Sequence, residues 1–472
     1  MRARVAAALG LLLVSAAASF PSCRHTAPPE RPNILLIVVD TLRADHLGSY
    51  GYAPPTSPRL DELARRGTRF AAARAASSWT LPSVASMLTG VYPAVHGAER
   101  SDSVLSVELG TMVEGFRDAG YRTAAFSANP AFVTPRQGLA RGFDRFEVLH
   151  GAPAEKRARG AVPAHASLNT WVMEATAEDV GSAAIQWIGA GQDGAKPFFL
   201  YLHYFDPHAA YTPPAQFARR FQVSEDSLPA GIEQWSVLLA PQAPAPQVLQ
   251  TLVRLYDAEI AAADAAIGHL LDEIPQALRE STITVVTSDH GEEFGEHGGL
   301  QHGRTLYDEL LRVPLLLVGP GIPAGTIVET PVSLTGLWST LSAISGAAAP
   351  PSDAVEPSFA ESMQRETAAD PVYADLEARF EADRQKHHRA LIDGSWKLLL
   401  DPQRGSELYD LDHDSGEQHS SADAHDELRH DMRARILDRN VAAVTRRAIA
   451  PPRQLLLDAA RREQLKALGY LQ

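Results

Sequence analysis

Residue types that could act together on a charged ester occur at four places in the sequence. Thr80 opens the stretch TLPSVASMLTG, Asp40 ends the run NILLIVVD, His203, Asp206 and His208 crowd HYFDPH, and Asp289 and His290 are neighbours in SDHGEEFGEHG. Asp40, Thr80, Asp289 and His290 supply two carboxylates, a hydroxyl and an imidazole, a mixture of O and N donors that suits Zn2+ or Mn2+ better than Ca2+. A divalent cation lowers the pKa of a hydroxyl it binds and offsets charge on ester oxygens, so Thr80 reads as a nucleophile attacking in line. The plainer alternative makes Thr80 a helix N-cap, because Ser and Thr are favoured there. Unpaired N–H groups and the positive dipole end at a helix start also favour an anion, which gives a phosphate or sulfate ester a place beside the Thr80 oxygen.

The surrounding elements would present these residues as follows. Pro82 in a first turn, the apolar Val84, Ala85, Met87 and Leu88, and Gly90 as a stop predict a helix beginning at or beside Thr80. Asn33–Val39 and Pro197–His203 are unbroken apolar runs and Thr282–Thr287 is β-branched, the pattern of strands covered on both faces of a parallel sheet. Asp40 and Asp289 come just past such strands, at the carboxyl edge where open α/β sheets bind ligands. Amphipathic spacing predicts helices over Ser57–Gly67 and Gln250–Ile274, with Asp257, Glu259 and Asp264 on a solvated or structural face. Glu108–Gly120 reads as a helix, Thr123–Ser127 and Leu315–Val318 as strands, and Phe217–Gln247 as a surface excursion that could shape the substrate mouth. The expected class is α/β, a large mixed, mostly parallel sheet flanked by helices. From about Pro371, strand-like runs alternate with turns at Asp393-Gly394 and Arg404-Gly405, which predicts a small antiparallel sheet, with acidic 410–426 as solvated surface.

TLPSVASMLTG resembles the signature of the sulfatase family, in which Cys or Ser, any residue, Pro, Ser and Arg lead into a small-residue helix ending in Thr-Gly. PNILLIVVDTLRADHLGSYGY, GFDRFE, HYFDPHAAYTPP and SDHGEEFGEHG resemble other parts of the family, and the likeness covers nearly all of residues 32–472. It implies an alkaline-phosphatase-like sandwich, a metal site using Asp40 and the Asp289–His290 pair, and ester hydrolysis. Thr80 replaces the Cys or Ser that sulfatases oxidise to formylglycine, and a secondary alcohol cannot give that aldehyde. Val84 replaces the signature Arg, Thr41 stands where a second Asp is usual, and FSANPAF replaces GKWHLG, leaving Asn129 as its obvious polar group. A Thr nucleophile resembles the phosphodiesterase and phosphoethanolamine-transferase branches of the alkaline phosphatase superfamily, and His302 resembles the extra histidine of phosphodiesterase-type sites. Asp206, His208, His302 and Asn129 are then candidates for a second metal ion or the substrate, with His208 and His302 also as proton donors to the leaving group. His96, in a place where the family also has HG, reads as structural, and Arg43 and Asp45, which belong to the family's opening, could equally be a structural ion pair.

The 472 residues allow a large domain and a smaller one, expected at 32–370 and 371–472, and 45% hydrophobic content is that of a globular chain. A net charge of -14 and no basic run interleaved with aromatics exclude a nucleic-acid surface. Arg2 and Arg4 before the apolar Val5–Ala18 form an export signal too short for a comfortable membrane span. Cys23 is the only cysteine, so no internal disulfide can form; its place suits a lipid anchor, although Phe20, Pro21 and Ser22 make a poor lipobox, and cleavage near Ala18 is the other outcome. The expected organisation is a signal over 1–23, a tether over 24–31 and an exported body that is periplasmic, lipid-anchored at the cell surface or secreted. The expected function is metal-dependent hydrolysis or transfer of phosphodiester- or phosphonate-type esters through Thr80, using one or two divalent ions, on a small or glycan- or lipid-linked anionic substrate. Two alternatives stand beside it: sulfuric ester hydrolysis without formylglycine, and a degenerate surface-anchored binding protein that keeps the fold.

Overall fold

Asn33–Val39 (β1) is buried along its whole length in the computed structural model, which describes residues 31–150, 175–191, 196–223, 231–240, 244–351, 356–377, 387–449, 451–455, 459 and 462. The expected export signal with Cys23, and the tether as far as residue 30, lie outside the described residues. Successive strand side chains point to opposite faces. Ile34, Leu36 and Val38 of β1 belong to one core with Trp79, Leu81 and Met87, while Leu35, Ile37 and Val39 belong to another with Leu252, Leu255 and Tyr256. Cover on both faces is why the run carries no alternating polar residue.

The other elements of the main layer are α1 (Pro58–Arg66), β2 (Thr68–Phe70), α2 (Thr80–Thr89), α3 (Met112–Asp118), β3 (Arg122–Ser127), β4 (Arg145–Val148), α4 (Ala177–Ala190), β5 (Phe198–Tyr204), α5 (Pro246–Glu273), β6 (Thr282–Ser288), β7 (Leu315–Val318) and β8 (Thr326–Val328). They build an eight-stranded sheet in the order β8-β2-β7-β6-β1-β5-β3-β4. The strands from β6 through β4 in that order run parallel, and β7 lies antiparallel to both β6 and β2. The architecture is thus the mixed, mostly parallel sheet between helices expected for an alkaline-phosphatase-like fold. Val38 pairs with His203 and Val39 with Ser288 across the parallel ladders. That register brings Asp40, His203 and Asp289 side by side at the carboxyl ends of three adjacent strands.

Several boundaries and exposures differ from the sequence reading. The helix expected from Glu108 starts at Met112, because Thr111 accepts from the Glu114 N–H while the Glu114 carboxylate accepts from the Thr111 N–H, a reciprocal capping box. Asp257, Glu259 and Asp264 are buried and structural. Asp264 receives the Arg59 and Leu60 N–H groups and so caps α1 from across the fold, and Asp257 holds His46 Nδ1 at 2.7 Å. The Phe217–Gln247 stretch overlaps one short helix, Ala215–Arg220, and contains another, Gly231–Leu238, whose Gln234 is buried against the Tyr211 backbone. Among the described residues, no helix is long and apolar enough to cross a membrane.

Towards the C-terminus, β9 (Val372–Glu377), β10 (His387–Asp393), β11 (Trp396–Asp401) and β12 (Gly405–Asp410) form an antiparallel meander. Gly394 and Gly405 turn it at φ 58° and 87°, a region that costs other residues more. Helix α6 (Asp426–Ile449) packs Met432 and Ile436 onto Leu391, Leu398 and Leu408. Lys397 of β11 is fully buried and crosses to the main layer, with Nζ 2.9 Å from Asp308 and 2.8 Å from Glu417. Arg74 completes the group at 2.7 Å from Asp308. Glu417 is therefore not solvated surface, as its acidic surroundings suggested; it is 1% exposed because Lys397 needs a partner.

A second buried acid at this seam titrates. Arg447 of α6 reaches Glu99 at 2.7 Å, yet burial, with Asp375 and Glu377 adding and Arg447 opposing, pushes the Glu99 carboxyl up from 4.5 to about 7. A raised folded pKa means that its contribution is present below the unfolded value and is lost as pH rises through the folded one. We therefore expect Glu99→Gln to gain melting temperature relative to the parent as pH goes from about 5 to about 8; a difference that does not change with pH would show that Glu99 titrates normally.

Candidate active site

Helix α2 begins at Thr80 because Trp79 is extended (φ -158°, ψ 163°), and it ends at Gly90, which adopts φ 71°. No side chain caps this N-terminus, so Thr80 is the first helical residue and its hydroxyl is not spent as an N-cap. The hydroxyl lies 3.3 Å from Nε2 of His290. Nδ1 of His290 is 2.9 Å from the Gly291 carbonyl. A carbonyl only accepts, so Nδ1 carries the proton and Nε2 presents a lone pair.

That lone pair faces Oδ1 of Asp40 and Oδ2 of Asp289, each 3.6 Å away. Both oxygens are buried and have no hydrogen-bond partner among the described residues. Asp40, Thr80, Asp289 and His290 are all wholly inaccessible to solvent. Burial and the Asp40 charge push the Asp289 carboxyl up. Asp40 is also penalised by burial, but the hydrogen bond from His203, with the electrostatic influence of the neighbouring imidazoles, holds its carboxyl below the usual range. One divalent cation would satisfy both orphaned oxygens and Nε2 at once, so these residues fit a metal ion on chemical grounds.

The neighbours of this group are fixed by hydrogen bonds. Ser83 of α2 donates to the Asp289 carbonyl, tying the helix to the end of β6. The Thr41 and His290 N–H groups donate to Oδ1 of Asp289 at 3.3 and 3.0 Å, which leaves Oδ2 bare. Thr41 reaches that position with φ 57°, uncommon for a β-branched residue. His96 serves the same helix from below. Its Nδ1 accepts from Ala98 at 3.0 Å, so Nε2–H faces the Pro82 carbonyl at 3.2 Å and Ser86 Oγ at 2.9 Å, and burial pushes its pKa down to about 3. His96 is therefore structural. So is Arg43, whose guanidinium pairs with Asp45 at 2.7 Å and with Glu296, and donates to the Glu292 carbonyl at 2.9 Å.

The remaining sequence candidates divide. His302 and His208 join the site: the His302 ring lies 4.4 Å from His290 and 5.0 Å from His208, and His208 is fixed by its Nδ1–H bond of 2.6 Å to the Ala209 carbonyl and by stacking on Phe205. Glu292, overlooked in the sequence, holds Nδ1 of His302 at 2.9 Å and meets the Tyr211 hydroxyl at 3.3 Å. Asn129 lies against Asp40. Its Nδ2 donates to Oδ2 of Asp40 at 2.8 Å and its Oδ1 accepts from Ala131 and Phe132 at 3.0 and 2.9 Å, so the amide ties Asp40 to the segment that follows β3. Asp206 is half-buried on the turn after β5, and the group of ligand-type atoms around Asp40 consists of Asp40, His203 and Asp289 without it. Tyr201, also overlooked, places its hydroxyl 2.9 Å from His203 Nδ1; two-residue spacing along a strand was the signal that could have found it.

A second such group among the described residues, Glu293, His297 and Glu309, brings its atoms within 4.8 Å. Here the imidazole is engaged at both nitrogens, Nδ1 by Glu309 at 2.7 Å and Nε2 by the Glu417 carbonyl at 3.1 Å. Burial lowers the His297 pKa, but Glu309 more than offsets this and the net shift is upward. The His297 ring is thus held between the Glu309 carboxylate and the Glu417 carbonyl.

The sequence model described as Sulfatase matches residues 32–347. The uncharacterized sulfatase YidJ of Escherichia coli is 25% identical over 424 residues, covering 84% of this chain and 84% of that protein. Iduronate 2-sulfatase of Mus musculus is 28% identical over 403 residues, covering 71% and 72%. Phosphonate monoester hydrolase of Agrobacterium radiobacter has the same fold, with a TM-score of 0.69 at 22% identity over 91% of this chain and 99% of that one.

Proposed function

Because this chain belongs to the sulfatase family of metal-dependent ester hydrolases, we propose that it cleaves phosphodiester- or phosphonate-type esters with Thr80 as the nucleophile. The observation that carries this reading is the convergence on His290 Nε2 of the Thr80 hydroxyl at 3.3 Å and two orphaned carboxylate oxygens at 3.6 Å. Asp40, Asp289, His290 and Thr80 would hold a divalent cation, and their N and O donors suit Zn2+ or Mn2+ better than Ca2+. Such an ion lowers the proton affinity of a hydroxyl in its reach and offsets charge on ester oxygens.

The residues of the chain then act in two halves. Oγ of Thr80 attacks phosphorus in line, the Oγ–P bond forms and the bond to the leaving alcohol breaks, with the Thr80 proton passing in net terms to that alcohol. His302, oriented by Glu292 and packed on His290 and His208, is placed to deliver it. Water next attacks phosphorus, the Oγ–P bond breaks and Thr80 recovers a proton from that water. Formylglycine chemistry is closed to Thr80, since a secondary alcohol cannot yield the aldehyde.

Sulfuric ester hydrolysis is the second reading, favoured by the matched family and by the sulfatases among its relatives. The fold does not separate the two, because it also carries a phosphonate monoester hydrolase. The test compares one preparation on bis-aryl phosphate, aryl phosphonate, aryl phosphate and aryl sulfate, with added Zn2+, Mn2+ or Ca2+ and with chelator. Chelator-sensitive turnover of the diester or phosphonate well above that of the sulfate is expected. Dominant sulfate turnover would replace the first reading with the second, and a stable protein that binds no cation would leave only a binding role for the fold.

A further inference from the structure

We infer that His203, locked in one tautomer by Tyr201, is a positioning residue that turns Asp40 so that one carboxylate oxygen faces the cation, and is not itself a ligand. This rests on Asp40, Asp289 and His290 being cation ligands. Distance alone would admit His203 to the ligand set, since a nitrogen of His203 and carboxylate oxygens of Asp40 and Asp289 all lie within 4.8 Å of one another. Proton bookkeeping excludes it. The Tyr201 hydroxyl is buried, and its partner among the described residues is Nδ1 of His203 at 2.9 Å. If the hydroxyl accepted a proton from Nδ1, its own proton would be buried without an acceptor. Tyr201 therefore donates, Nδ1 accepts, and Nε2 carries the remaining ring proton.

Nε2–H points at Oδ2 of Asp40, 3.2 Å away, and Asn129 donates to the same oxygen at 2.8 Å. Two donors on Oδ2 stop the carboxylate from swinging about its last torsion. Oδ1 is left bare toward His290. Strand geometry produces the arrangement: Tyr201 and His203 are two apart on β5, share a face and stack at 6.1 Å between ring centroids, and the parallel register sets His203 opposite Val38, two residues before Asp40. The two histidines beside Asp40 thus hold opposite tautomers. His290 is protonated on Nδ1 by reason of a carbonyl and offers Nε2 as a lone pair, whereas His203 accepts on Nδ1 from a hydroxyl and offers Nε2 as a donor.

The experiment measures Zn2+ affinity by chelator competition and the visible spectrum of the Co2+-loaded protein for the parent, Tyr201→Phe, His203→Gln, His203→Ala and Asp289→Asn, with melting of each metal-free protein. His203→Ala should weaken Zn2+ binding by about 10- to 100-fold, the range for partners that orient a ligand. His203→Gln, whose amide N–H can still donate to Oδ2, should recover much of that loss and leave the Co2+ bands where they were, and Tyr201→Phe should fall between. A Gln variant as weak as Ala, with shifted Co2+ bands, would make His203 a ligand and overturn the inference. So would unchanged affinity in Tyr201→Phe, the variant that keeps the site's volume if Ala fails to fold. A parent that binds neither Zn2+ nor Co2+, or an Asp289→Asn variant with unaltered affinity, would instead overturn the cation site itself.

Discussion

Thr80→Ala should lose ester turnover by about 10,000-fold or more, the scale on which enzymes respond to deletion of a nucleophile, while melting close to the parent. The two expectations have separate causes. Oγ is the atom that forms the bond to phosphorus, and the described residues around it, His290, Asp40 and Asp289, offer no second hydroxyl in the same contact with Nε2. Stability should hardly change, because the hydroxyl does not cap α2, and Ser83 and His96 hold the helix independently of it. Thr80→Ser keeps Oγ and removes only the methyl, so part of the turnover should survive. Steady-state rates on the preferred ester, with cation content measured in the same samples, decide the matter. Full activity in Thr80→Ala would end the nucleophile assignment.

Lys397→Met should cost about 3–5 kcal/mol of unfolding free energy, the range for removing one partner from a buried ion pair. Lys397 is fully buried between Asp308 at 2.9 Å and Glu417 at 2.8 Å, and Arg74 serves only Asp308 among these two. Loss of the ammonium leaves the Glu417 carboxylate with no cation at that distance. Burial raises the Glu417 pKa in the folded protein, with Lys397 opposing, so Met at 397 should make the acid fold protonated and make the loss larger at high pH than at low pH. The consequence should reach the active site. Asp308 opens the turn Asp308–Leu311, whose Leu310 carbonyl receives the Gly291 N–H next to His290. Denaturant midpoints at two pH values test the first effect and cation affinity the second. An unchanged midpoint would show that the meander is joined to the main layer by other contacts.

Much of this was legible from the chain alone, and for a local reason. NILLIVV, PFFLYLH and TITVVT advertise strands buried on both faces, because a strand covered by helices on each side has no use for polar residues. Pro82 and Gly90 bracket a helix that starts at Thr80, because proline suits a first turn and glycine accepts the left-handed stop. Carboxylates following strands could be placed at the binding edge of a sheet before any contact was known. What stayed hidden depends on partners far along the chain. Thr80 meets His290 across 210 positions, His203 meets Asp40 across 163 and Lys397 meets Asp308 across 89. Sequence therefore determined that this protein carries an α/β sheet with a hydroxyl, two carboxylates and several imidazoles at its carboxyl edge. Only the tertiary structure decided which oxygen of Asp40 is bare, which nitrogen of each histidine holds a proton, that Asn129 orients an acid and that Glu417 is interior, because a hydrogen bond's direction and a charge's burial are set by the group that folding brings opposite.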